Sequence, residues 1–166
     1  MNVRRAVVRS SVASQVAVLV VAAVVCGAVV NALHPRGIPW VGEWAHRVEA
    51  LAEREGIPVV ELARVKELAD GGGGMVLDAR SVEDYAAGHV PGALSLPREA
   101  FYETLAELEP LLSREELVVT YCSGPECDDA LAIARWLREQ GFAQVALFVD
   151  GFEAWRRAGY PVETGL

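Results

Sequence analysis

Two cysteines carry most of the chemistry this sequence can offer. In "VTYCSGPECDDALAIARWL", residues 119–137, Cys122 ends an apolar run, Ser123, Gly124 and Pro125 follow, and Cys127 stands just ahead of an amphipathic stretch. A sulfur where a strand hands over to a helix is a potential nucleophile, because the helix start stabilises a thiolate and any anionic adduct on it. Glycine permits close approach of backbone N–H groups, and donors from Ser123 through Glu126 to Asp128 could form an anion nest. Cys127 admits two readings. It is a packed thiol at a helix start, or a second reagent that resolves an adduct on Cys122. A bridge between them requires α-carbons within about 7 Å. A zinc site would need further ligands, and none is close in sequence. His34, His46 and His89 show no ligand spacing, so neither metal nor cofactor is expected.

These residues need a frame. The run "ELVVTYC", 116–122, is the most strand-like in the chain, and "DALAIARWLREQG", 129–141, has helical apolar spacing at Ala130, Ile133, Ala134 and Leu137. Upstream, "IPVVEL" (57–62) reads as a short strand, and "ELARVKELAD" (61–70) as a helix stopped by the glycines 71–74. "MVLD" (75–78) reads as a buried strand, and "SVEDYAAG" (81–88) as a helix opened by Ser81, with Asp84 three residues on. "GALSL" (92–96) is a strand, "REAFYETLAELEPLL" a helix up to Pro110, "VALFV" (145–149) a strand and "GFEAWRRAG" (151–159) a closing helix. Alternating strands and helices imply an α/β domain, an open parallel sheet with helices on both faces. Chemistry in such sheets sits beyond the carboxyl ends of the strands, where Cys122 falls.

Three stretches together resemble the rhodanese family of single-domain sulfurtransferases. They are "VLDARSVEDYAAGHVPGALSLP" (76–97), "VVTYCSGPEC" (118–127) and "GFEAWRRAGYPVETG" (151–165). The resemblance implies a rhodanese-like fold and an activity. Cys122 would attack a sulfur donor, keep the outer sulfur as a persulfide and pass it to a thiol or cyanide, a covalent catalysis in two displacements. The other residues of the first motif read as support. Asp78 and Arg80 are expected to pair at a strand end, as a surface pair worth about 0–1 kcal/mol, and His89 to be a hydrogen-bonding turn residue.

The loop departs from the family pattern, which often has an Arg five residues after the nucleophile to hold anionic thiosulfate. Here Cys127 stands there, flanked by Glu126, Asp128 and Asp129. Carboxylates raise a thiol's pKa and repel an anionic donor, so thiosulfate is not expected as the natural donor. A phosphatase reading fails for lack of a loop arginine. Two alternatives to sulfur transfer stand: a thiol-redox protein cycling a Cys122–Cys127 disulfide, and a non-catalytic tethered binding domain.

Residues 12–33, "VASQVAVLVVAAVVCGAVVNAL", contain no charge and are long enough to cross a hydrocarbon core of roughly 30 Å. We read them as a transmembrane helix. A cleaved signal peptide would have a shorter apolar region, and a lipoprotein site at Cys26 is disfavoured by Val25. Arg4, Arg5 and Arg9 precede the run and Arg36 follows it; up to residue 42 the net charge is +4, and the remainder carries −12. The positive-inside bias therefore puts the N-terminus in the cytoplasm and the domain on the periplasmic or extracellular side. So acidic a domain excludes nucleic acid as a partner. The expected partners are a small sulfur donor, a thiol acceptor (small or on a protein) and the membrane. Trp40 and Trp44 fit an interface belt. The expected order is a basic segment (1–11), the membrane helix (12–33), a linker with a short helix (34–56) and the rhodanese-like domain (57–166).

Overall fold

The computed structural model describes residues 12–34 and 46–166. The basic segment, Arg36, Trp40 and Trp44 lie outside the described residues. The chain divides into two units. The first contains α1 (Val12–Leu33), a continuous helix of about 33 Å at 1.5 Å per residue, with valines and leucines exposed along it. It is long and apolar enough to cross a membrane by length and composition, as an anchor or a signal sequence would be.

The second unit is the α/β domain. Four parallel strands, β1 (Met75–Asp78), β2 (Leu94–Ser95), β3 (Leu117–Tyr121) and β4 (Gln144–Phe148), stand in the order β2-β1-β3-β4. Helices α2 (Arg47–Arg54), α3 (Leu62–Ala69), α4 (Val82–Ala87), α5 (Phe101–Leu108), α6 (Asp129–Glu139) and α7 (Gly151–Arg157) complete it. Alternation along the inner strands sends successive side chains into two separate cores. Val118 and Cys122 join Phe101, Ile133, Leu137 and Leu147 on one face, whereas Val119 and Tyr121 join Val65, Phe148, Phe152 and Trp155 on the other. Each large apolar side chain so buried contributes about 1.5–3 kcal/mol.

Local signals explain the element ends. Ser81 Oγ accepts from the Asp84 backbone N–H at 3.2 Å and opens α4. Pro110 ends α5 in a single 3-10 turn, residues 109–111. Two expectations need correction. The strand expected over 57–62 is one parallel bridge, Val59 to Leu147. Pro58 contributes its carbonyl to Leu147 but has no N–H to extend the ladder. The linker helix, α2, belongs to the domain: Val48 and Ala52 are buried in the first core, and Arg138 on α6 donates to the carbonyls of Glu55 and Gly56 just past its end.

Candidate active site

Strand β3 ends at Tyr121, so Cys122 is the first residue beyond the carboxyl end of an inner strand, and α6 starts after Asp128. Cys122 is 3% exposed. Cys122 and Cys127 are joined by a disulfide, with their α-carbons 6.1 Å apart, inside the usual range for such bridges. The Cys127 N–H donates to the Gly124 carbonyl at 3.0 Å, which turns the loop back on itself.

The loop is held from below by α7. The N–H of Phe152 donates to the Cys122 carbonyl (2.8 Å) and that of Glu153 to the Ser123 carbonyl (2.9 Å). Gly151 makes this approach possible. Its φ of +61° lies in the left-handed region, and a Cβ there would lie 2.4 Å from the Cys122 carbonyl oxygen. A cavity of about 570 Å³ opens over the loop, lined by Ser123, Gly124, Pro125, Glu126, Cys127 and Glu153. A second, of about 470 Å³, shares Ser123 and Glu153 with it and adds Arg80, Arg156 and Arg157.

Carboxylates edge the loop at Glu126, Asp128, Asp129 and Glu153, and cations stand beside them: Arg156 and Arg157 line the second cavity, with Arg157 Nη2 3.7 Å from Glu153. Asp128 and Asp129 share one cation, Arg98, whose Nη1 lies 3.4 Å from Asp128 and 2.8 Å from Asp129. The hydrogen bond to Asp129 raises the arginine's pKa above its ordinary value. Asp129 also brings a carboxylate oxygen to 3.5 Å from the Cys127 sulfur. Ligand atoms of Cys122, Cys127 and Asp129 lie within 4.8 Å of one another. That trio could hold a cation only with both sulfurs reduced to thiolates, and a fourth ligand would have to come from elsewhere.

Asp78 and Arg80 do pair, but not at the surface, which corrects the sequence-based expectation. They are 0% and 7% exposed, because the segment that follows them, 81–92, folds over the strand ends. Asp78 accepts the Arg80 backbone N–H (3.0 Å) and its Nε (2.9 Å), while Arg80 Nη2 bonds both the Asp78 carboxylate and the Gly88 carbonyl (2.7 Å). The guanidinium also lies 4.1 Å from the centre of the Phe152 ring. Burial works against its charge, but the Asp78 bonds outweigh that and leave the pKa raised. Tyr121 joins this network: its hydroxyl donates to Asp78 and accepts from the Val90 N–H at 3.2 Å. Burial, then the Asp78 charge, push its phenol pKa far up. Tyr121, the residue before Cys122, is thus fastened to the end of β1.

His89 is buried between neighbours. Its Nδ1 donates to the Tyr85 carbonyl at 2.9 Å, its ring stacks on Tyr85 at 3.7 Å, and its Nε2 lies 3.8 Å from Glu163. It lines neither loop cavity. Sequence reading passed over Tyr121, Gly151, Glu153 and Arg98. Gly151 and Glu153 lie in a stretch already singled out, the closing "GFEAWRRAG", whereas Arg98 reaches the loop from 30 positions away without any local signal.

Comparison with known proteins agrees with this geometry. Residues 61–158 match the model of the family described as Rhodanese-like domain. Over 99 residues the chain is 33% identical to the thiosulfate sulfurtransferase GlpE of Actinobacillus pleuropneumoniae, covering 59% of this chain and 85% of that one. Over 90 residues it is 38% identical to the HTH-type transcriptional regulator Rv0324 of Mycobacterium tuberculosis, covering 54% of this chain but 38% of that longer protein. The crystal structure of the BH2092 protein from Bacillus halodurans superposes with a TM-score of 0.58 at 28% identity, over 72% of this chain and 85% of that one. The family match takes in β1, β3, the cysteine loop, α6, β4 and α7, more than half of the chain, which belongs to the rhodanese-like domain family.

Proposed function

We propose that this protein is a membrane-anchored sulfurtransferase that carries a sulfane sulfur as a persulfide on Cys122. The observation that carries the reading is the position of Cys122 beyond β3, its loop clasped by α7 and followed by the N-terminus of α6. Once the disulfide is reduced, the Cys122 thiolate attacks the donor's outer sulfur. The rest of the donor leaves with the bonding electron pair, and a nucleophilic acceptor later takes the sulfur from the persulfide. The relatives named thiosulfate sulfurtransferase support the reaction class. Glu126, Asp128, Asp129 and Glu153 around the loop disfavour a dianionic donor, so we favour a persulfide of lower charge over thiosulfate. Asp78, Arg80 and His89 act as scaffold. The apolar α1 supports anchoring, and the N-terminal arginines support a cytoplasmic N-terminus with the domain across the membrane.

The test is intact mass of the reduced full chain carrying Cys127→Ser, in nanodiscs, exposed separately to thiosulfate and to glutathione persulfide. One added sulfur atom, absent in Cys122→Ser and removed by cyanide, is expected, with the persulfide the better donor. No uptake from either donor by the reduced chain would sink the reading. A second reading, a thiol-redox protein, is favoured by the Cys122–Cys127 disulfide. It predicts dithiol-dependent reduction of the bridge with no sulfur uptake. The third reading, a tethered binding domain, predicts that Cys122→Ser leaves every cellular function intact.

A further inference from the structure

We propose that Cys127 is the resolving thiol of the sulfur carrier: it attacks the Cys122 persulfide, releases the sulfur as hydrosulfide and leaves the disulfide seen in the structure. The inference rests on the reading of Cys122 as the carrier, and assigns what discharges it. The disulfide is the product that such a step leaves. Cys122 and Cys127 are five positions apart with α-carbons at 6.1 Å. Both ends of the loop are held by hydrogen bonds independent of the sulfurs, Phe152 to the Cys122 carbonyl and Cys127 to the Gly124 carbonyl. Opening the bridge therefore leaves the two sulfurs within reach of each other.

An external acceptor has a harder route. Cys122 is almost fully buried, and the cavity above it is edged by Glu126 and Glu153, with Asp128 and Asp129 behind. A free thiol has to pass these side chains to reach a sulfur that is almost wholly covered. Cys127 is already inside, and a reactant held in place acts at an effective concentration no free thiol reaches.

The step balances. The Cys127 thiolate attacks Sγ of Cys122, the Cys122–outer sulfur bond breaks, and the outer sulfur departs with the electron pair and its proton as hydrosulfide. Hydrosulfide is a weaker base than an alkyl thiolate, so it is the better leaving group. When Cys127 enters as a thiol, the Asp129 carboxylate, 3.5 Å from its sulfur, takes the proton. The cysteine pair is oxidised and the sulfane sulfur reduced. A dithiol, small or on a partner protein, must then reduce the bridge by two thiol exchanges, and becomes a disulfide itself. The partner class is thus a dithiol reductant.

The experiment is a single turnover of the full chain in nanodiscs, reduced, freed of reductant and given one equivalent of glutathione persulfide, with Cys122→Ser as blank. Wild type is expected to release about one hydrosulfide per chain and to end as the disulfide by intact mass. Cys127→Ser and Cys127→Ala are expected to take up sulfur but hold it as persulfide, with hydrosulfide release slower by at least about tenfold until a thiol is added. Release at the wild-type rate from both variants, or a wild type that keeps its persulfide, overturns the proposal and leaves the carrier reading intact. Variants that take up no sulfur while remaining folded by circular dichroism would overturn the carrier reading and this one with it.

Discussion

Gly151 stands so close to Cys122 that no side chain fits between them, since a Cβ would lie 2.4 Å from the Cys122 carbonyl oxygen. Gly151→Ala must therefore push the cysteine loop off α7, and its positive φ adds backbone strain. We expect sulfur uptake at Cys122 to slow by about a hundredfold, as for a reacting atom misplaced by an ångström. Stability should fall by at least about 1 kcal/mol. Persulfide formation followed by mass in a Cys127→Ser background, beside a urea midpoint, checks both; an unaffected rate would mean the loop position is not needed.

Asp78→Ala should be among the costliest single changes in the domain. It leaves the buried Arg80 guanidinium without its carboxylate and the Tyr121 hydroxyl without its acceptor. Breaking a buried pair on one side costs about 3–5 kcal/mol. Urea unfolding measures it, and a loss under about 1 kcal/mol would show that water reaches the pair.

Tyr121 makes stability depend on alkaline pH. Burial and Asp78 raise its pKa above the ordinary 10.0, so above about pH 10 the unfolded chain releases this proton while the folded chain keeps it. The contribution is whole below that pH and is lost as pH rises, by up to about 1.4 kcal/mol per pH unit. Tyr121→Phe should be less stable than wild type at neutral pH by about 1–3 kcal/mol and fall less steeply above pH 10. Parallel slopes for the two proteins between pH 10 and 11 would refute the assignment.

Cys26, a free and exposed cysteine on α1, tests the anchor. In intact cells and in sealed vesicles a water-soluble maleimide should leave Cys26 unmodified, and should label it once detergent dissolves the bilayer. A mature chain that lacks Cys26 by mass would identify α1 as a cleaved signal sequence instead.

Much of this arrangement was legible in the sequence, for reasons that differ by element. β3 and α6 stand out because an apolar run gives way to helical spacing across a Ser-Gly-Pro loop. The Asp78–Arg80 pair could be expected from its place at a strand end. Its burial could not, since it depends on residues 81–92 folding over the strand ends and on Tyr121 arriving from β3, 43 positions away. The strand at 57–62 was over-read because its apolar pattern ignores what Pro58 removes from a ladder. α2 looked like a linker because its polar face hides how completely Val48 and Ala52 are buried. The Cys127 spacing left packing and bridging open together, and the 6.1 Å between the α-carbons is a tertiary quantity that the α7 contacts help to set.

The bridge has one more consequence, for the connectivity of the molecule. Residues 122–127 form a covalent macrocycle, so a protease that cuts between Ser123 and Glu126 opens the ring without dividing the protein. The nicked chain would keep its full mass, apart from one added water, and come apart into two pieces only on reduction. Sodium dodecyl sulfate gels run with and without reductant after limited digestion would therefore read the oxidation state of the loop directly, as the difference between one band and two.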